Sequence, residues 1–196
     1  EIFLRIPITR MRVFVNWVLR ERVVLGIGDD FGGCPVLSDA YDPKSKEHII
    51  NGTFPKEDDV IDELKQFSSI LNKYEVDVLR PKNIFNCNQV FTRDVGFVIE
   101  DFFFISNMIH QRKNEILGLE EILKQIHSSR IHKIPVDLFV EGGDVIVSEK
   151  YIYVGVCKLK TFEKHQFSRT SYEILDYFSN KFPNKEVVGL ELKKSD

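Results

Sequence analysis

The hydrophobic positions of the chain follow two patterns: runs typical of β-strands, and a three-to-four-residue spacing typical of helices. Residues 95–99 and 102–105 are apolar runs separated by an acidic turn, which predicts a β-hairpin. Between residues 116 and 126 the apolar side chains recur at helical spacing, and residues 134–140 return to a strand-like pattern. This part of the chain therefore predicts a hairpin, a helix and a strand in succession.

The same succession begins again further along the chain. Residues 145–147 and 151–156 predict a second hairpin, residues 169–181 predict a helix, and residues 186–190 predict a strand. Because each such unit leaves one apolar face uncovered, repeated units normally stack in an array or close in a ring.

An earlier part of the chain gives a looser third copy of the unit. Residues 22–27 predict a strand that runs into a glycine-rich loop, residues 57–71 predict a helix with an acidic start, and residues 76–79 predict a short strand. No linker rich in Pro, Gly or Ser separates the copies, so we expect one domain over residues 1–196. The expected fold is α/β, a ring of hairpin–helix–strand units. We expect the ring to be incomplete at the C-terminus, because the last strand ends shortly before Asp196.

Composition excludes several classes of protein. The 27 Lys and Arg are outnumbered by 30 acidic residues, whereas nucleic-acid binding normally needs a basic face. No apolar run reaches the ~20 residues of a transmembrane helix and no signal peptide is recognised, so we expect a cytoplasmic protein without membrane contact. The three cysteines are widely spaced and lack a Cys-x-x-Cys pair, which predicts neither disulfides nor a zinc site. No metal or other cofactor is expected.

Two acidic motifs stand at equivalent places, each immediately before the first strand of a unit. They are Asn88-Gln-Val-Phe91-Thr-Arg93-Asp94 and Glu141-Gly-Gly-Asp144. In a ring of repeats, equivalent positions lie at the same end, so both carboxylates are expected to face one cavity. A carboxylate pair suits a guanidinium, whose N–H donors form a planar fork. The alternative is that these are solvated turn residues, with a surface ion pair between Arg93 and Asp94 worth under ~1 kcal/mol.

The order of four motifs resembles a known superfamily. The Asn88–Asp94 motif is followed by Arg112-x-x-Glu115, by Glu141-Gly-Gly-Asp144 and by Arg169-Thr. From about residue 23 to its end, the chain resembles arginine deiminases, dimethylarginine dimethylaminohydrolases and amidinotransferases. The resemblance implies the pentein fold, a five-fold pseudosymmetric α/β propeller, and a small guanidino substrate.

The resemblance also implies roles for individual residues. Asp94 matches the carboxylate that binds the substrate guanidinium, and Glu141 matches the acidic member of the catalytic set. Arg112 and Arg169 match residues that hold a substrate carboxylate, although a surface position at the start of a helix is the alternative for both. The remaining substrate-binding residues that the resemblance implies are Asn88, Phe91 and Asp144.

In such enzymes a cysteine thiolate attacks the guanidinium carbon and a histidine moves the proton to the departing amine. Water then resolves the thiouronium intermediate in a hydrolase, and a second amine resolves it in a transferase. The histidine and cysteine are expected beyond Asp196, so the isolated chain is expected to be inactive. None of the histidines and cysteines of this chain stands in the matching motifs. They are His48, His110, His127, His132, His165, Cys34, Cys87 and Cys157.

Three functions remain open at this stage. The first is a dimethylarginine hydrolase-like enzyme, the second is an amidinotransferase, and the third is a non-catalytic pentein that binds a partner, as translation factors of that fold do. No residue separates hydrolysis from transfer.

The opening segment, residues 1–9, matches nothing expected of the family. The uncovered apolar face of an open ring also predicts self-association, so a homo-oligomer is possible.

Overall fold

The computed structural model describes residues 11–15, 18–40, 43–157 and 169–192. Its backbone forms three three-stranded sheets that follow one another along the chain. In each sheet the first two strands are antiparallel, and the third lies parallel to the second. A parallel pair needs a crossover connection, which helices provide in all three units. The mixed α/β class expected from the sequence is confirmed.

The first unit contains strands β1 (Met11–Val15), β2 (Val18–Val24) and β3 (Asp77–Leu79), with helices α1 (Pro43–Ile50) and α2 (Glu57–Lys73) between β2 and β3. The first of the described sheets therefore contains a full hairpin, and the expectation of a looser copy is wrong. Helix α2 has three acidic residues in its first turn and a lysine in its last, an arrangement that the helix dipole favours. Its buried leucines pack against β2 in one hydrophobic cluster.

The second unit contains β4 (Gly96–Ile99), β5 (Phe102–Ile105) and β6 (Ile131–Lys133). The hairpin is confirmed, whereas the strand expected at residues 134–140 is wrong. Pro135 offers no N–H to a strand ladder. In addition, the Asn107 side-chain amide donates to carbonyls of this segment, at 2.9 Å for Leu138 and 3.2 Å for Val136. The segment is consequently a loop, and the strand of this unit ends before it.

The crossover of the second unit also differs from the prediction. A continuous helix was expected across residues 116–126, but residues His110–Leu119 form a 3-10 helix, followed by the short helix α4 (Glu120–Leu123). Gly118 packs so tightly that a Cβ atom would lie 2.1 Å from Nε2 of Gln89. A glycine and this close packing both disfavour a regular α-helix.

The third unit contains β7 (Val145–Val147), β8 (Tyr151–Val156), helix α5 (Ile174–Lys181) and β9 (Glu186–Glu191). Hairpin and final strand agree with the prediction, but the helix begins five residues later than residue 169. Residues 169–171 are held instead against the segment before β7, where Ser171 N donates to Phe139 O at 2.8 Å. This pairing brings the Arg169-Thr motif beside Glu141.

Aromatic packing joins the second and third units into one core. The Phe97 and Phe104 rings of the second sheet stack with centroids 5.4 Å apart, and Phe178 of α5 packs edge-on against both. The same cluster contains buried residues of β7 and β8. A second cluster connects the first unit to the second, because Val24 and Leu79 pack against it. Within the part of the chain described, no helix is long and apolar enough to cross a bilayer.

Candidate active site

The first acidic motif lies on a one-turn helix, α3 (Thr92–Val95), immediately before β4. Thr92 is buried and its hydroxyl donates to Val24 O at 3.0 Å, which ties the turn to the first sheet. Asp94 N donates to Phe91 O at 3.0 Å. The carboxylate of Asp94 lies close to Gly143 of the second motif, and the Asp94 side chain is 21% exposed.

The second acidic motif is a 3-10 turn, Gly142–Asp144, that follows Glu141 and precedes β7. Arg93 fastens the two motifs together, because its Nε donates to Gly142 O at 3.1 Å and its Nη2 donates to Val145 O. Arg93 is therefore engaged with backbone carbonyls of the second motif. Burial lowers the pKa of Arg93, and the charge of Asp94 opposes that effect.

Arg112 lies at the centre of the cluster and brings three carboxylates together. Its Nη1 donates to Asp94 Oδ2 at 2.8 Å and to Glu141 Oε2 at 2.9 Å. Its Nε and Nη2 donate to the two carboxylate oxygens of Glu115, each at 2.7 Å. Asp94 and Glu141 thus share one partner atom, and Glu115 binds the same guanidinium. That Asp94 and Glu141 face one cavity stays a prediction.

The 3-10 conformation explains how Arg112 meets Glu115. In a 3-10 helix side chains three residues apart eclipse one another, so the bidentate pair forms without any long reach. Burial acts to lower the pKa of Arg112, but the hydrogen bonds and charges of Glu115, Glu141 and Asp94 raise it above the ordinary guanidinium value. Burial raises the pKa of Glu115 while Arg112 opposes the shift. Arg112 is a permanent cation here.

Arg169 contacts the other side of Glu141. Its Nε donates to Oε1 at 2.7 Å and its Nη2 donates to Oε2 at 2.5 Å, a bidentate ion pair. Thr170 is fully buried beside it, accepts a hydrogen bond from Glu141 N at 3.2 Å and donates to Asp144 Oδ2 at 2.6 Å. Asp144 therefore contacts the backbone turn of Glu141 through the threonine hydroxyl.

Asn88 and Phe91, which the resemblance also implies, lie in the loop that precedes α3. Asn88 accepts a hydrogen bond from Val90 N at 3.1 Å and so caps its own turn. Phe91 is 40% exposed. Three residues that bond within the ion cluster stood in the quoted motifs without a predicted site role: Arg93, Glu115 and Thr170. Only Glu115 had a signal in the sequence, which is its three-residue spacing from Arg112.

The described cysteines and histidines have other surroundings. Burial and the charge of Glu115 raise the pKa of Cys87, which disfavours a thiolate at that position. Two histidines bond to neighbouring hydroxyls, His48 to Thr53 and His127 to Ser129. His165 and residues 1–9 lie outside the described residues. Across the described ranges, no group of three or more His, Cys, Asp or Glu side chains is placed to hold a metal ion.

Solved structures of guanidino-modifying enzymes share this fold. A dimethylarginine dimethylaminohydrolase from Pseudomonas aeruginosa, determined with citrulline, is 18% identical and aligns with a TM-score of 0.57 over 72% of this chain and 53% of its own. The N-terminal domain of a cyanobacterial arginine dihydrolase, bound to substrate, is 17% identical and aligns with a TM-score of 0.64 over 88% of this chain and 58% of its own. An amidinotransferase of saxitoxin biosynthesis from Microseira wollei is 15% identical and aligns with a TM-score of 0.62 over 92% of this chain and 62% of its own.

These three structures belong to the pentein or amidinotransferase superfamily, so the resemblance seen in the sequence is confirmed at the level of the fold. Among curated proteins, the uncharacterized protein YkgA of Bacillus subtilis is 32% identical over 106 residues. That match covers 53% of this chain and 32% of YkgA, and the chain spans between half and two thirds of the length of each structure named. No family model matches the sequence.

Proposed function

We propose that the protein acts on the guanidino group of arginine or an arginine derivative. Hydrolysis of a dimethylarginine-like substrate is the first candidate. One observation carries the proposal: Asp94 and Glu141, from two different units, both bond to Nη1 of one arginine, at 2.8 and 2.9 Å. Two carboxylates that already share a guanidinium are spaced to hold that group. The fold shared with guanidino-modifying enzymes supports the same conclusion.

We infer further that the three units are consecutive blades of a pentein propeller. Isolated backbone bridges support this, since Ile27 pairs with Gln89 and Asn107 pairs with Val140. Each bridge joins the end of a second strand to the start of the next acidic motif. Motifs anchored in the same way lie at equivalent ends of successive blades, so the acids face a common cavity.

Within this proposal each acid has a separate task. Asp94, which is partly exposed, grips the ligand guanidinium, and its loss removes binding in the ground state and the transition state alike. Glu141, almost fully buried, positions the reacting group and the proton carrier. Asn88 and Phe91 line the pocket.

The two arginines take different parts in the proposal. Four of the five N–H donors of Arg112 are taken by three carboxylates of the chain. We therefore assign Arg112 to the positioning of Asp94 and Glu141. Arg169, 20% exposed, is assigned to the carboxylate of the ligand. Asp144 acts through Thr170 on the Glu141 turn.

Amidino transfer is the second candidate, and it is supported by the likeness to the Microseira wollei amidinotransferase. Both reactions begin with attack on the guanidinium carbon and differ in the acceptor that follows. Binding of the guanidinium by Asp94 and Glu141 is compatible with both hydrolysis and amidino transfer.

Product analysis tests the function and separates the two candidates. The full-length protein is incubated with Nω,Nω-dimethyl-L-arginine or L-arginine, with and without glycine, and the products are measured by mass spectrometry. Hydrolysis of the dimethylated substrate yields citrulline and dimethylamine. Transfer from arginine to glycine yields ornithine and guanidinoacetate only when glycine is present. A full-length protein that neither binds nor converts any guanidino compound contradicts the proposal.

A further inference from the structure

Three consecutive side chains of α3 each bond to a different unit of the fold. The Thr92 hydroxyl donates to a backbone carbonyl at the end of β2, in the first unit. The Arg93 guanidinium donates to two backbone carbonyls at the start of the third unit. Asp94 accepts a hydrogen bond from Arg112, which belongs to its own unit. The position of the Asp94 carboxylate therefore depends on contacts that its two preceding neighbours make with other units.

Helix α3 is too short to hold itself in place. It consists of four residues, Thr92–Val95, whereas an isolated helix in water needs about 12–15 residues to be even marginally stable. Its N-cap residue, Phe91, makes no side-chain capping hydrogen bond. Contacts with other units consequently determine where this turn, and with it Asp94, lies.

Arg93 binds both ends of the turn that follows Glu141. Its Nε donates to the carbonyl oxygen of Gly142 at 3.1 Å, and its Nη2 donates to that of Val145, the residue after the turn Gly142–Asp144. The planar guanidinium fixes the direction of both bonds, and its charge strengthens them. The backbone contributes as well, because a Cβ atom on Gly142 would lie 2.1 Å from the backbone oxygen of Arg93. Side chain and main chain of Arg93 thus contact the same turn.

The contacts of Arg93 act on the position of Asp94 and not on that of Glu141. In the described part of the chain, Arg93 forms no hydrogen bond or ion pair with the Asp94 carboxylate, whose ion pair is with Arg112. Glu141 has separate anchors, because its carboxylate accepts from Arg112 and its backbone N–H donates to Thr170. Loss of the Arg93 side chain therefore releases α3 and Asp94 and leaves Glu141 in place.

We propose that Arg93 is a positioning residue of the guanidinium site, which sets the distance between the Asp94 and Glu141 carboxylates by holding α3 against the turn Gly142–Asp144. This inference rests on the proposed function, because it assumes that the two carboxylates receive a guanidinium. A guanidinium is planar and rigid, so a carboxylate that moves away from hydrogen-bonding distance loses both contact and alignment. Arg93 thereby contributes to ligand affinity without touching the ligand, and that contribution depends on the Asp94 carboxylate.

A double-mutant cycle tests whether Arg93 acts through Asp94. Full-length wild type, Arg93→Gln, Asp94→Asn and the double variant are titrated with L-arginine by calorimetry. Arg93→Gln is expected to weaken arginine binding roughly fivefold in the wild-type background and less than about twofold in the Asp94→Asn background. Equal losses in the two backgrounds overturn the inference, because a general loosening of the fold does not depend on the Asp94 charge.

Arg22→Gln is the matched control for Arg93→Gln. Arg22 also joins two units, because it pairs with Asp77 at 2.6 Å and donates to Gln125 at 3.4 Å. Among the described residues it bonds to neither acidic motif, so its loss should leave the affinity for arginine unchanged. A loss of affinity as large as that of Arg93→Gln would contradict the inference.

A second variant and its crystal structure decide the question if Arg93→Gln does not fold. Arg93→Lys keeps a positive charge beside Asp94 but lacks the planar fork, so arginine binding should weaken roughly threefold. Its structure should place Asp94 Oδ2 beyond the ~3.2 Å of a hydrogen bond from Arg112 Nη1, with the bond from Arg112 to Glu141 kept. Wild-type affinity or an unmoved Asp94 in Arg93→Lys overturns the inference alone. Absence of arginine binding to wild type overturns the proposed function and, with it, this inference.

Discussion

Two adjacent glycines allow the acidic motifs to approach each other. A Cβ atom on Gly142 would lie 2.1 Å from the backbone oxygen of Arg93, and one on Gly143 would lie 2.2 Å from Oδ1 of Asp94. The first clash is with backbone held by hydrogen bonds, whereas the second is with a side chain that can rotate. The glycine pair in the sequence therefore reports close packing between two motifs and is more than a turn signal.

Substitution of these glycines should separate stability from binding. Gly142→Ala is expected to lower the free energy of unfolding by about 1–3 kcal/mol, because the backbone of α3 must shift. Gly143→Ala should cost less stability but should displace the Asp94 carboxylate and weaken arginine binding. Urea denaturation and calorimetry on both variants check this. Equal effects of the two variants on stability and on binding would contradict it.

At the scale of single residues, part of the site was predictable from the sequence. Repetition of an acid before a hairpin gave the convergence of Asp94 and Glu141, because equivalent positions of a repeat occupy equivalent places. The partners of Arg112 were not predictable, since Asp94 and Glu141 lie 18 and 29 residues away from it. Contacts of that kind depend on how the units pack and leave no local spacing in the sequence.

At the scale of elements, the 3-10 helix His110–Leu119 is the feature that builds the ion cluster. Hydrophobic spacing indicated a helix there but could not indicate its type, because apolar residues at three-residue intervals satisfy both helices. The loop at residues 134–140 escaped prediction for a related reason. Its carbonyls are taken by the side chain of Asn107, about thirty residues away in sequence, and an apolar run alone does not show this.

Glu115→Gln tests the contribution of this helix. The variant leaves Arg112 with a weaker, neutral partner at a buried site, so the free energy of unfolding should fall by about 2–4 kcal/mol. Glu121→Gln, which removes an exposed i,i+3 pair with Lys124, should cost under ~1 kcal/mol. Urea denaturation of both variants measures the difference, and equal losses would argue against a structural ion cluster.

His132, on strand β6, predicts a pH dependence of the free energy of unfolding. His132 lies against the rings of Phe102 and Phe104, with centroids 4.8 and 5.4 Å away. Burial and the charge of Lys181 lower the pKa of His132. The folded pKa of His132 lies below the unfolded value of ~6.5, so the unfolded chain binds a proton first as the pH falls. The contribution of neutral His132 to the free energy of unfolding is therefore fully present above pH ~6.5 and is lost as the pH falls below it.

The measurement is the free energy of unfolding between pH 7.5 and 5. His132→Phe keeps an aromatic ring in the cluster and removes the titrating group, so its stability should fall less on acidification than that of wild type. His127→Gln, at an exposed position, serves as the control and should follow the wild-type curve. Identical slopes for wild type and His132→Phe would show that His132 does not contribute.

At the scale of the whole molecule, the hydrophobic clusters make the units depend on one another. The hairpins of the second and third units and the final strand could be read from apolar spacing, because local patterns dictate local elements. The extent of the shared core could not, since Phe97, Phe104 and Phe178 meet only after two sheets have packed. A single domain spanning the chain stays a prediction.

Phe178→Ala examines that dependence. Truncating a fully buried ring between two units should lower the free energy of unfolding by about 3–5 kcal/mol and shift the whole transition together. Tyr74→Ala, at an exposed position after α2, should change it little. Circular dichroism and hydrogen exchange followed in parallel provide the measurement. Loss of protection confined to the third unit would mean that the units unfold separately.

The central claim, that Asp94 grips the guanidinium of an arginine-like ligand, is tested most directly by calorimetric titration of L-arginine. Wild type, Asp94→Asn, Glu141→Gln and the matched control Asp101→Asn, in the exposed turn between β4 and β5, are compared in the full-length protein. We predict a loss of affinity of at least tenfold for Asp94→Asn, a smaller loss for Glu141→Gln, whose main effect falls on the single-turnover rate, and no change for Asp101→Asn. Wild-type affinity in Asp94→Asn would contradict the assignment.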